Sequence, residues 1–297
     1  MSYTAWIASL SPWPEEFGLE RMYGLLAELG HPERAFPSVH VVGTNGKSRA
    51  TRTIAALLRA EGLRVGAYTS PHVSGWEERL DTDAAGFERA VGRVRPAAER
   101  VGATQFEALT AAALAEFAAQ GVDAAAIEAG LGGRLDATNV LDAPVVLLTN
   151  VGLEHTDVLG ETREAIAREK LAVVKPGAIV VLGEPEWGYL LPENEARTGG
   201  AREAAEAFLG RAIESDADVQ LPGRLEWRSD GEVWDGAHTP EAVDWLLERI
   251  PTGDWVIVVS LLEDKDIAGM LERLASAGST FVVTQSSNPR ALPADEL

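Results

Sequence analysis

The stretch 39–48, VHVVGTNGKS, decides the fold. Ser38 to Val42 reads as a short buried strand, and apolar residues recur at helical spacing from Ala50 to Ala60. Between them lies the turn Gly43-Thr44-Asn45-Gly46-Lys47-Ser48. A strand that passes through a Gly-rich turn into a helix surrounds a polyphosphate with backbone N–H groups and the positive end of the helix, and a lysine adds a mobile point charge. Ser48 is then placed to ligand Mg²⁺. The long form of this pattern has glycine at position 41, where this chain has Val41. The signal is therefore the shorter GxxGK[ST] form, which an ordinary Gly-rich turn between strand and helix also fits.

A second stretch, 126–139 (AIEAGLGGRLDATN), carries an apolar run that ends on Glu128 and enters a turn holding Arg134, Asp136 and Asn139. Around these two stretches strands and helices alternate. Strands are expected at Arg64 to Ser70, Val122 to Ala129, Pro144 to Val151 and Ala178 to Leu182. Helices are expected at Gly86 to Val101, near Thr162 to Val173, and from Thr104 to Gln120, where Thr104 and Glu107 form a capping-box pattern. Apolar strands alternating with amphipathic helices indicate an α/β fold with a mostly parallel sheet covered on both faces.

Residues 185 to 222, rich in Pro, Gly and Glu, break the rhythm, with one helical piece at Ala201 to Ile213. A domain boundary is placed there, giving domains 1–222 and 223–297. In the second domain the expected order is strand Glu232 to Trp234, helix Pro240 to Ile250, strand Trp255 to Ser260, helix Ile267 to Ala277 and strand Thr280 to Thr284.

Composition limits the function classes. The formal charge of −20 argues against a nucleic-acid or anionic-membrane partner, since both need a basic footprint. No run has the length of a membrane span and the N-terminus lacks a signal-peptide pattern, so a cytoplasmic protein is expected. The absence of cysteine excludes disulfides, thiolate metal sites and cysteine nucleophiles. Only four of the 26 basic residues are lysine, and two of these, Lys47 and Lys170, lie in the motifs that carry chemistry. Where arginine is so favoured, a retained lysine points to a need for a compact or deprotonatable amine.

Ser70, Glu128 and His155 each fall at or just past the C-terminal end of an expected parallel strand, where ligands bind in open α/β sheets. Hard oxygen donors with one imidazole suit Mg²⁺ bridging the phosphates of ATP. Lys170 lies in the helix after His155, where spacing alone does not reject a solvated face.

VHVVGTNGKS, YTSPHVSGWEERL, TQFEALT, EAGLGGRLDATN, GLEHTDVLGETREAIAREK, LPGR, DGAHTPEA, EDKD and NPRALPADEL follow one another as in the folylpolyglutamate synthase and dihydrofolate synthase family of the Mur ligase superfamily, which this chain resembles over residues 17 to 297. The resemblance implies a P-loop domain with a mostly parallel sheet flanked by helices, plus a smaller, truncated Rossmann-like α/β C-terminal domain. It implies an ATP-dependent ligase, acting as a monomer, that joins L-glutamate to dihydropteroate or a reduced folate through an acyl phosphate in a cleft between domains.

Carried over by the resemblance, Gly43, Thr44, Asn45, Gly46, Lys47 and Ser48 form the phosphate loop, and Ser48, Ser70, Glu128 and His155 the Mg²⁺ set. Lys170 matches a lysine that family members carbamylate, able to serve a second metal. Arg79, Phe106 and Asp136 match the pterin site; Asn139, Arg224, Asp235 and His238 match the nucleotide side. Lys47, Glu128, His155, Lys170 and Arg224 are the candidate catalytic residues.

The chain departs from the family pattern at Ser48-Arg49, at Thr239 and at EKLAV. It is also shorter, so two alternatives stand beside the ligase: a Mur-type ligase with another acceptor, and a truncated nucleotide-binding paralogue without turnover. Ending the second domain before its last strands is expected to leave an open sheet edge.

Overall fold

Runs of valine, alanine, leucine and isoleucine too short for helices become parallel strands, because β-branched and small residues pack well on a pleated surface buried from both sides. The structure, a computed structural model, describes residues 2–217, 219–229, 231–286, 288 and 290–297. It contains two compact units, Met1–Val219 and Gln220–Leu297.

In the first unit the strands are β1 (Ser38–Val42), β2 (Val65–Tyr68), β3 (Ala124–Glu128), β4 (Val145–Leu148), β5 (Ile179–Leu182) and β6 (Ala196–Thr198). They form a six-stranded sheet in the order β2-β3-β1-β4-β5-β6, with every pairing parallel. The helices are α1 (Tyr3–Ser9), α2 (Glu20–Glu28), α3 (Lys47–Ala60), α4 (Ala84–Val101), α5 (Gln105–Gln120), α6 (Thr156–Leu159), α7 (Arg163–Leu171) and α8 (Ala201–Leu209).

Alternation along β3 shows how the layers arise: Ala124 and Ala126 face one core and Ala125 and Ile127 the other. The first core holds Ile54, Leu57 and Leu58 of α3 and Ala204 and Ala205 of α8. The second holds residues of α1, α2, α4 and α5, while Ile166, Ala167 and Leu171 of α7 cover β4 and β5. Helix α5 opens with the expected capping box, Thr104 N–H donating to Glu107 Oε2 at 2.8 Å and Glu107 N–H to Thr104 Oγ1 at 3.3 Å. The same Glu107 receives Arg21 Nε at 3.1 Å, which fastens α2 to the start of α5.

Strand order locates the crevice. The chain leaves β1 through α3 toward β2 on one side, and leaves β4 through α6 and α7 toward β5 on the other. Loops that depart in opposite directions from adjacent parallel strands part above the sheet, and ligands bind in the gap. Here the gap lies above the C-terminal ends of β1 and β4, with the end of β3 next to it.

The second unit has a hairpin, β7 (Glu226–Ser229) with β8 (Glu232–Trp234), and a parallel pair, β9 (Val256–Val259) with β10 (Thr280–Val283). Helices α9 (Pro240–Leu247) and α10 (Ile267–Leu274) pack on the parallel pair around Val243, Val259, Leu261 and Met270.

Two expectations need correction. The 185–222 segment contains β6, a sixth strand of the main sheet, and β7 precedes the expected strand at Glu232 to Trp234. All three residues of β6 and three of the four in β7 are exposed, so neither offers the apolar run by which strands are read. The N-terminal helices α1 and α2 also lay outside the expected elements.

Candidate active site

Gly43 leaves β1 at φ +148°, and a side chain there would collide with Thr149 Oγ1. That hydroxyl donates to Asn45 O at 2.8 Å, while Thr44 N–H donates to Asn150 O at 3.0 Å and Asn45 N–H to Asn150 Oδ1 at 2.8 Å. The loop after β4 therefore grips the loop after β1 and fixes its path. Gly46, at φ +77°, turns the chain into α3. The first turn of this helix has N–H groups with no intrahelical acceptor and carries the positive end of the dipole. Lys47 Nζ arches over the loop and donates to Gly43 O at 3.1 Å and Thr44 O at 3.2 Å.

Gly43→Ala is expected to lower ATP affinity at least about tenfold and stability by roughly 1–3 kcal/mol, because the added Cβ pushes Thr149 away from Asn45. Nucleotide titration calorimetry and urea unfolding would measure both. Unchanged affinity would show that the loop's path is not set by this contact.

On the other side of β1, Glu128 ends β3 with only 1% of its surface exposed. Its Oε1 accepts from Ser48 Oγ at 3.0 Å and its Oε2 from Ser70 N–H at 2.9 Å. Burial pushes its pKa up to about 7, against the opposing pull of Lys47, the Ser70 N–H, the Ser48 hydroxyl and Arg52. A carboxylate this desolvated gains by meeting a cation, and with the Ser48 hydroxyl it offers hard oxygen donors. These two residues fit Mg²⁺, which takes few protein ligands and completes its shell with phosphate oxygens and water.

The other members of the expected set are placed differently. Ser70 contacts Glu128 through its backbone N–H. His155 is exposed and begins α6 at φ +46°. Among the described residues no three His, Asp or Glu side chains come together as a metal cage.

The solvated face that spacing left open for Lys170 is excluded: it is 1% exposed, and Nζ donates to Gly43 O at 2.8 Å and to Glu154 Oε1 at 2.9 Å. Burial lowers the lysine's pKa, and Glu154 works in the opposite direction. Helix α7 thus reaches back to the phosphate loop through one ammonium group. Glu154, Thr149 and Asn150 lie outside the expected site residues, although all three are in TNVGLEH, the segment that directly follows β4 and ends on His155.

Toward the other side of Glu128, Arg79 Nε donates to His72 Nδ1 at 3.0 Å, and its guanidinium lies 5.3 Å from the Trp76 ring centroid. Burial depresses the Arg79 pKa, with Tyr68 and Glu128 opposing. The Tyr68 and Phe106 rings are 6.1 Å apart, and Gly130 passes so close to Phe106 that a Cβ there would strike the ring. His72 and Trp76 join this group and also lie outside the expected site residues, although both are in YTSPHVSGWEERL.

Two candidates are turned inward. Asp136 accepts from the N–H groups of Gly130, Leu131 and Thr138, so its carboxylate organises the Gly-rich turn. Asn139 donates to Arg134 O at 2.8 Å and accepts from Lys175 Nζ at 2.8 Å, so both ends of its amide are used locally.

In the second unit, Asp235 accepts from the N–H groups of Leu225 and Ala237 and holds the turn after β8. Arg224 donates to Gly223 O at 3.0 Å, and exposed His238 contacts Gly236 O through Nδ1 at 3.0 Å.

The Mur ligase middle domain matches residues 41–197, which contain the phosphate loop, Glu128 and Lys170. The chain is 30% identical to the dihydrofolate synthase/folylpolyglutamate synthase of Escherichia coli K12, covering 100% of this chain and 84% of that protein. The chain belongs to the folylpolyglutamate synthase and dihydrofolate synthase family of Mur ligases. Within this synthase family, the folylpolyglutamate synthase of Lacticaseibacillus casei is 32% identical over 99% of this chain and 88% of its own length. Among solved synthases, E. coli FolC in complex with DHPP and ADP superposes with a TM-score of 0.89 at 29% identity, covering 100% of this chain and 86% of that one. A bifunctional synthase with Mn, AMPPNP and L-glutamate bound gives a TM-score of 0.84 at 30% identity over 100% of this chain and 86% of its own.

Proposed function

We propose that this protein is an ATP-dependent ligase that joins the amine of L-glutamate to a carboxylate of dihydropteroate or a reduced folate. The observation that carries this reading is the contact of Ser48, in the phosphate loop, with the buried Glu128 carboxylate at the crevice above β1, in a chain similar to the synthases along its whole length. That full-length likeness favours the folate-side acceptor over a cell-wall precursor, and a ligase over a nucleotide-binding paralogue without turnover.

In the reaction an acceptor carboxylate oxygen attacks the γ-phosphorus of ATP and ADP leaves. The glutamate nitrogen then attacks the acyl carbon, loses a proton, and inorganic phosphate departs. Residues of the chain supply position and charge compensation rather than covalent chemistry. Lys47 and the first turn of α3 would hold the phosphates, and Ser48 and Glu128 would hold Mg²⁺, which would supply charge neutralisation. Ser70 and His155 are kept as near-ligands. Arg79 and Phe106 face the pterin side, with Asp136 acting through the turn that it organises. Arg224, Asp235 and His238 are assigned to the nucleotide from the C-terminal domain, whose start is placed at 223. The protein is taken to act as a cytoplasmic monomer.

Phosphate release from the purified chain with MgATP and L-glutamate tests the reading, with dihydropteroate, tetrahydrofolate or no pterin added. Release that requires glutamate and one pterin is expected; ATP binding without release would overturn it.

For Lys170 we take the carbamylated form as the working state, in which the neutral amine nitrogen adds to CO₂ and loses a proton. Lys170→Ala is then expected to lose most activity and to regain part of it in acetate, and intact mass in bicarbonate to show a labile CO₂ adduct on the wild type. Without either result, Lys170 is the ammonium that ties Gly43 to Glu154.

A further inference from the structure

His40 lies in the middle of β1, where its neighbours Val39, Val41 and Val42 are completely buried. It is itself fully buried, and among the described residues its Nδ1 has no hydrogen-bond partner. An unpaired polar atom in such a place costs stability that valine would not, so the imidazole needs a reason to be there.

Its other nitrogen supplies one. Nε2 is 2.7 Å from Thr138 Oγ1, and the Thr138 hydroxyl donates its only proton to Asp136 Oδ1. With Asp136 ionised, Thr138 Oγ1 accepts from His40, which makes His40 the neutral tautomer protonated on Nε2. Asp136 Oδ1 also receives Thr138 N–H at 3.0 Å, while Oδ2 receives Gly130 N–H at 2.9 Å and Leu131 N–H at 2.8 Å. These two amides begin the Gly-rich turn two residues beyond Glu128 and beside Phe106. A buried chain of hydrogen bonds thus runs from the strand that carries the phosphate loop to the turn that follows the carboxylate at the end of β3.

We propose that His40 is a positioning residue for the ligase reaction: through the Thr138 hydroxyl and the Asp136 carboxylate it fixes the backbone of Gly130 and Leu131, and with it the acceptor's seat relative to the phosphate loop. The proposal rests on the ligase reading given above. Burial, together with the nearby Lys175, keeps the imidazole neutral, as the single Nε2 proton requires. The link is a directional one: it needs a donor at position 40 and a hydroxyl at position 138.

Thr138→Val keeps the shape and removes the hydroxyl; Thr138→Ser restores it. His40→Leu removes the donor; His40→Gln returns an N–H. Hydrogen exchange at the Gly130 and Leu131 amides is read alongside steady-state kinetics and ATP affinity. Thr138→Val and His40→Leu are expected to speed exchange at these two amides and to lower kcat by about 10- to 100-fold, as a displacement of about 1 Å does. ATP Kd should stay within about twofold. Thr138→Ser and His40→Gln should recover both exchange protection and kcat.

Faster exchange with unchanged kcat, or unchanged exchange in Thr138→Val, overturns the proposal. So does an equal loss of ATP binding in all four variants, which would mark a general collapse. Wild type with protected amides but no glutamate-dependent turnover would instead overturn the ligase reading and leave the hydrogen-bond chain intact. The imidazole ¹⁵N shifts of wild type supply a further check, since a proton on Nδ1 also overturns the proposal.

Discussion

Lys47→Ala is expected to lose glutamate-dependent phosphate release by roughly 100- to 1,000-fold, the scale on which a single well-placed charge partner acts on a transition state. In the folded protein its Nζ holds the carbonyls of Gly43 and Thr44, both on the turn that would wrap the phosphates. Removing it withdraws the mobile cation from the transferring group. It has a second effect one strand away, because Lys47 is the largest influence opposing the burial that raises the Glu128 pKa. Without it the carboxyl holds its proton more tightly, so the variant should also need more Mg²⁺ for the activity that remains. Lys47→Arg keeps the charge but not the compact ammonium, and should recover only part of the rate. A coupled phosphate assay over a Mg²⁺ series would show both effects. Activity of Lys47→Ala within tenfold of wild type would mean that the phosphates bind elsewhere.

Glu128→Gln is expected to lower turnover by at least about 100-fold and to change the pH dependence of stability in the opposite sense from a lost ion pair. The folded carboxyl titrates near 7, against an ordinary value of 4.5. Between those pH values the folded protein keeps a proton that the unfolded chain has released. The stabilisation from that proton is complete below pH 4.5 and is lost as the pH rises through 7. Wild type in EDTA should therefore lose about 3 kcal/mol relative to Glu128→Gln across this window. Urea unfolding of both proteins at pH 4.5, 6 and 8 gives the difference directly. Parallel curves would mean that Glu128 is solvated and is no place for a cation. Saturating Mg²⁺ and nucleotide should flatten the wild-type curve, because a bound cation keeps the carboxylate ionised in the folded state.

Residue order disclosed the main sheet and the phosphate loop because both rest on local signals. The strand residues of β1, β3 and β4 are apolar enough to stand out, and Gly43 and Gly46 mark where the chain turns. The place of Glu128 at the end of a buried strand was legible for a related reason: an acid that closes an apolar run stands out. Lys170 was not. Its helix reads as charged and solvated, and only the fold brings its ammonium beneath Gly43 and beside Glu154.

Thr149, Asn150, His72 and Trp76 were hidden for the same physical reason. Each acts through a partner distant in sequence or through ring geometry, which spacing does not encode. Asp136 and Asn139 illustrate the converse: the resemblance places them at ligand sites, and in the structure their hydrogen bonds go to the turn that carries them and to Lys175. His155 lies beyond the end of β4, at the start of α6, and a position along the chain does not fix a side chain's direction.

The brevity of β6 bears on how the protein behaves in a crowded solution. Opposite it, β2 lies buried at the far margin of the sheet, so β6 is where another chain could add itself rung by rung. Such a newcomer would find three residues, all exposed, with Arg197 drawn toward Glu195 beside them. So short a margin, with a charge at its centre, gives little purchase for extension of this sheet by another chain.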